Sequence, residues 1–60
     1  MKVWTLTELF RLTRAELFGL HREIVTELAN APEHSPEREV AIGNLRRIAK
    51  VLALPNIAPG

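Results

Sequence analysis

Cysteine is absent from the 60-residue chain, so no disulfide and no thiolate metal site can staple it. The two histidines, His21 and His34, stand alone, which leaves no ligand set for a structural zinc. No stretch approaches the roughly 18 apolar residues that a membrane-spanning helix needs. The opening MKVWTLTELF holds no apolar run of secretory length. The chain therefore reads as cytoplasmic, with no membrane partner. An excess of one charge is also missing: eight Lys and Arg stand against seven acidic residues, for a formal charge of +1. That balance argues against strong non-specific nucleic-acid binding. Aromatics are few, namely Trp4, Phe10 and Phe18, and all fall in the first eighteen residues.

Catalytic groups are equally scarce. Thr5, Thr7, Thr13 and Ser35 are better used at helix starts than as nucleophiles. Glu23 and Glu27, at i and i+4, read as a solvated helix face rather than an acid–base pair. So short a chain also has little volume for an enzyme-sized pocket. The expectation is a non-enzyme without cofactor or metal.

What the chain does have is apolar residues in helical rhythm. Leu12 to Ala29, LTRAELFGLHREIVTELA, is the clearest stretch. Thr13 and Glu16 are spaced for a capping box, with Leu12 and Leu17 placed as a hydrophobic staple. At about 100° per residue, Leu17, Leu20, His21, Ile24, Val25 and Leu28 share one side, edged by Phe18 and Ala29. That face covers roughly half the cylinder, wider than one packed neighbour needs, so the helix is expected to have at least two partners.

Upstream, Thr5 and Glu8 repeat the capping box and Trp4 and Leu9 the staple. Leu6, Leu9 and Phe10 then follow helical spacing. The spacing predicts a short helix over Leu6–Leu12, with a bend at Thr13. One continuous helix is the alternative, since neither Gly nor Pro interrupts it. Downstream, Pro32 and Pro36 bracket a loop and bias the residues before them towards extended backbone. Ser35 with Pro36 is an N-cap followed by a proline at the first helical position. The third helix is predicted over Pro36–Ala53, with Ala41, Leu45, Ile48 and Leu52 as its stripe. Arg46, Arg47, Lys50 and Glu39 fall opposite. Pro55 stops it, and 55–60 read as a tail. Gly19 and Gly43 lie on the outward sides of their helices, where each costs about 1 kcal/mol against Ala. A close approach by a partner helix is one reason to keep them.

The expected fold is all-α: a short N-terminal helix followed by an antiparallel hairpin of Arg14–Asn30 and Pro36–Ala53. It forms one domain over 1–60 with an ordered core at about 4–54. A chain of this size buries only roughly 60 % of its unfolded surface. With 47 % hydrophobic residues, either a dimer closing into a bundle or a monomer with an exposed apolar patch is expected.

Trp4, Phe10, Phe18, His21 and Val25 are the candidates for that patch, because large aromatics at one end of a chain serve as core anchors or interface hot spots. His21 reads chiefly as a half-buried structural residue, with a pH-sensitive contact as the functional alternative. Arg46, Arg47 and Lys50 form the densest basic cluster. It suits phosphate or acidic-partner contact, or simply offsets the helix C-terminal dipole. A helix-turn-helix would want a shorter, Gly-containing turn and base-reading Asn or Gln, so DNA binding stands second.

The segments WTLTELFRLTRAEL and SPEREVAIGNLRRIAKVLA resemble small helical proteins encoded on proteobacterial plasmids and integrative conjugative elements, of the quorum-sensing antiactivator type. The resemblance spans Trp4 to about Ala53. It implies a helical protein whose apolar surface sequesters a transcriptional activator. The expected function is thus a protein-binding regulatory module. A small nucleic-acid-binding dimer using Arg46, Arg47 and Lys50, or a purely structural homodimer, are the alternatives.

Overall fold

The computed structural model describes residues 2–54; the predicted tail at 55–60 lies outside the described residues. Three helices follow in order: α1 (Leu6–Phe10), α2 (Arg14–Asn30) and α3 (Pro36–Ala53). The fold is all-α, and no strand occurs among the described residues.

Each helix begins where the side-chain chemistry says it should. Thr5 and Thr13 are extended, and each hydroxyl accepts from the N–H of the glutamate three residues on. The carboxylates of Glu8 and Glu16 in turn accept from the cap N–H groups at 3.0 and 2.9 Å. Two of the four orphan N–H groups at each helix start are thereby satisfied within the box. Because the second box needs an extended Thr13, the chain cannot stay helical through it. The continuous-helix alternative is thus excluded, and α1 stops at Phe10, two residues short of the predicted Leu12. Ser35 caps α3 through the Arg38 N–H at 3.2 Å, with Pro36 at the first position.

The helix ends use no glycine. Asn30 donates from Nδ2 to the Thr26 carbonyl at 3.0 Å, and Ala31, extended with ψ 139°, leads into Pro32. In the loop His34 takes a positive φ of 61°, the left-handed region. Ser35 then closes the turn, its hydroxyl donating to the Pro32 carbonyl at 2.7 Å.

The core is small: Leu9 of α1, Leu17 and Ile24 of α2, and Ala41 and Ile48 of α3. Trp4, Leu12, Leu20, Leu28, Leu45, Val51 and Leu52 pack around it. Both proposed staple pairs, Trp4 with Leu9 and Leu12 with Leu17, end in this one cluster. The helix with two packed neighbours is α3, not α2: α2 packs along it as an antiparallel hairpin, and α1 packs against it as well. Within the chain, α2 therefore buries one side against α3, and its second side is left without a packed helix. Its buried line runs through Leu17 and Ile24 alone, while Phe18 and Val25 face solvent.

Candidate functional site

Two neighbouring surfaces carry the chemistry: a polar clamp on one side of α3, and an apolar face shared by α2 and α3 on the other.

The clamp is built on Asn44, the one buried polar residue among those described, with no solvent exposure. Its Oδ1 accepts the Trp4 backbone N–H at 2.9 Å, and its Nδ2 donates to the Lys2 carbonyl at 2.9 Å. The Asn44 amide thus bonds both a backbone donor and a backbone acceptor of the N-terminal segment, as a neighbouring strand would. Arg47, one turn on, donates from Nε to the Trp4 carbonyl at 2.7 Å and from Nη2 to Asn44 Oδ1 at 3.1 Å. Every buried side-chain polar atom among the described residues has a partner. Lys2 finishes the segment by pairing with Glu8 at 2.6 Å and lying 4.3 Å above the Trp4 ring.

Arg47 is accordingly not part of an outward basic cluster. Only Arg46 and Lys50 keep that orientation, and both are exposed. Gly43 also acquires a reason: a Cβ there would meet Arg47 Nη2 at 3.3 Å, so the glycine leaves space for the guanidinium rather than for a partner helix. Gly19 has open space beside it and no packing explanation. Leu6, Gly43, Arg46, Arg47, Ala49 and Lys50 line a shallow groove of about 560 Å³ on the outward side of α3, between the clamp and the apolar face.

The apolar face lies on the other side of α3. In an antiparallel hairpin the two helices are related by an approximate two-fold axis. Residues about 100° onward from each buried line therefore point to the same side. On α2 these are Phe18, Val25 and Ala29; on α3 they are Ile42, Ala49 and Ala53. Arg14 reaches across at one end, its Nη1 3.5 Å from the Leu52 carbonyl and its guanidinium 5.8 Å from the Phe18 ring. Phe18 is 55 % and Val25 43 % exposed, well beyond the half-buried Ile42 and Leu45 that floor the trough between the helices.

The sequence-predicted residues separate on this map. Phe18 and Val25 share the α2 face, with half-buried His21 on its inner border. Phe10 is 58 % exposed but belongs to α1. Trp4 is half-buried against the core and tied down by the clamp, so it is not on the exposed face. Sequence reasoning missed Asn44. A lone amide on the flank of an apolar helical stripe was the available signal, and its partners lie some forty residues away.

Two carboxylates have shifted titration. The Glu8 carboxyl is lowered from 4.5 to about 2, first by its bond to Lys2 and then by the Thr5 N–H. Glu16 is lowered by the Thr13 N–H and hydroxyl. At Glu16 the cause is helix capping alone; at Glu8 the ion pair with Lys2 comes first and the cap adds to it. Among the described residues no three His, Cys, Asp or Glu side chains gather to hold a metal. No helix there is long and apolar enough to cross a membrane. No protein-family model, curated protein or solved structure matches the chain.

Proposed function

We propose that this chain is a non-enzymatic protein-binding module that sequesters a transcriptional regulator through the exposed face of α2, as an antiactivator would. The observation that carries the reading is that Phe18 and Val25, two of the exposed large apolar side chains, lie along one edge of α2 beside the buried core line of Leu17 and Ile24. Large apolar side chains lined up along a helix edge are the usual anchors of helix-in-groove recognition. The displaced titrations come from the Lys2–Glu8 pair and the two capping boxes, structural contacts that support a binding role over acid–base chemistry. Arg46 and Lys50 leave nucleic-acid binding as the competing reading; it requires affinity that falls steeply with salt.

The test is photocrosslinking in cells from a photoreactive residue at position 18, with mass spectrometry of the adducts and sedimentation of the purified chain over a concentration series. A monomer that crosslinks to one transcriptional regulator is the expected result. A tight dimer that crosslinks only to itself would make the face a self-association surface and end the proposal.

A further inference from the structure

The charges around the apolar face have a pattern that specifies its occupant. By helix register, Arg14 and Arg22 border it on α2, and Arg38 and Arg46 on α3. Glu39 is the single acid on that border, at the loop end of α3. The α2 acids, Glu16, Glu23 and Glu27, run down the opposite edge of their helix. Among the described residues the only ion pair is Lys2 with Glu8, so none of the four arginines has a carboxylate within salt-bridge distance. Arg14 is committed in part to the Leu52 carbonyl; Arg22 and Arg46 are exposed.

Building on the protein-binding reading above, we propose that the trough between α2 and α3 receives an acidic amphipathic helix of a partner protein. The apolar stripe of that helix lies on Phe18, Val25 and Ile42, and its Asp or Glu side chains meet Arg22 and Arg46. Charge complementarity selects acid, because lysine flanks would face the exposed guanidinium groups of Arg22 and Arg46. A two-fold pairing with a second copy would set arginine borders against each other, which disfavours self-association. A helix suits better than a strand, since a helical hairpin offers no row of free backbone donors for strand addition. The alanines at 29, 49 and 53 keep the trough shallow-walled enough for a helix backbone to approach. Insertion into an anionic membrane would instead want large apolar side chains projecting all along the face.

The experiment uses the full chain and three labelled designed peptides in stopped-flow anisotropy. Two share one Leu/Ala stripe and carry Glu or Lys flanks; the third keeps the Glu flanks but replaces the stripe with Gln and Ser. The Glu-flanked helix should bind roughly tenfold or more tightly than the Lys-flanked one, with an association rate that falls as salt rises. Arg22→Glu should remove that preference, and Phe18→Ala should weaken binding without loss of helicity. Equal binding of both helices, still weakened by Phe18→Ala, overturns the acid preference and leaves the protein-binding reading standing. Binding of neither helix overturns this proposal, and with a tight dimer in sedimentation it removes the broader reading too. Equal binding of the stripe-less peptide, or tighter binding to phosphatidylserine vesicles, also overturns it by reassigning the face to anions or to a membrane.

Discussion

Asn44 and Trp4 are joined as two strands are joined, although no strand occurs among the described residues. The N–H of Trp4 meets Asn44 Oδ1, the carbonyl of Trp4 meets Arg47 Nε, and the other half of the Asn44 amide takes the Lys2 carbonyl. Through these bonds α3 holds an N-terminal segment that has no secondary structure of its own, and so places Trp4 against the core. The amide is fully buried, and its removal would strand a backbone donor and an acceptor together.

Asn44→Ala should therefore destabilise the chain by about 2 kcal/mol or more, a large part of what so small a core supplies. Urea unfolding followed by circular dichroism measures the loss. Amide exchange at Trp4 and a red shift of its fluorescence would show the segment detaching. If Trp4 stays protected in the variant, the clamp does not hold the segment.

Arg47→Lys should recover only part of the wild-type stability. An ammonium cannot bridge the Trp4 carbonyl and Asn44 Oδ1 in the planar geometry of the guanidinium, and the deficit should be about 1 kcal/mol. Equal urea midpoints for Arg47→Lys and wild type would contradict this.

The two helical glycines should respond differently to alanine. Gly19→Ala meets open space and gains helix propensity, so it should stabilise by up to about 1 kcal/mol. Gly43→Ala gains the same propensity but crowds a guanidinium already held at Trp4 and Asn44. Its net gain should be clearly smaller, or become a loss. The ordering of the two urea midpoints is the readout.

Acid should loosen the N-terminal end. The Glu8 value in the folded chain, about 2, lies below its ordinary 4.5, so ionised Glu8 favours the folded state. That contribution is complete above about pH 4.5 and is lost as pH falls towards 2. Glu16 acts in the same direction. Stability should thus decline with acidification across this window, and Glu8→Gln should flatten the decline. An unchanged slope in Glu8→Gln would place the acid sensitivity elsewhere.

Phe18→Ala should change the unfolding free energy by no more than about 0.5 kcal/mol, as expected for an exposed side chain away from the core. Its effect on partner binding should be far larger. A comparable loss in both would make Phe18 a core residue.

The helix starts were readable in the sequence because capping is local. Thr5, Glu8, Thr13, Glu16, Ser35 and Pro36 satisfy orphan backbone groups within a few residues of themselves. The rule that identifies them needs only spacing. For the same reason α2 and α3 keep their predicted bounds. α1 ends before Leu12, although apolar periodicity continues to it, because the second cap demands extended backbone at Thr13.

The side of each helix that meets another was legible only in part. Leu17, Ile24, Ala41 and Ile48 sit on apolar stripes and are buried. Periodicity does not say which of two broad stripes receives a second neighbour. That depends on where the N-terminal segment docks, and the docking rests on Asn44 and Arg47 finding Lys2 and Trp4 across about forty residues of chain. Long-range pairing of one amide and one guanidinium leaves no periodic trace.

The sequence by itself therefore determined three helices, their caps and their loop, since local hydrogen bonding and spacing decide these. Only the tertiary structure decided that α3 is the helix packed on two sides, that Arg47 turns towards Trp4, and that Phe18 and Val25 of α2 stay uncovered. The physical reason is that α1 and the segment before it can cover one flank of the hairpin only, and the clamp on α3 selects which flank.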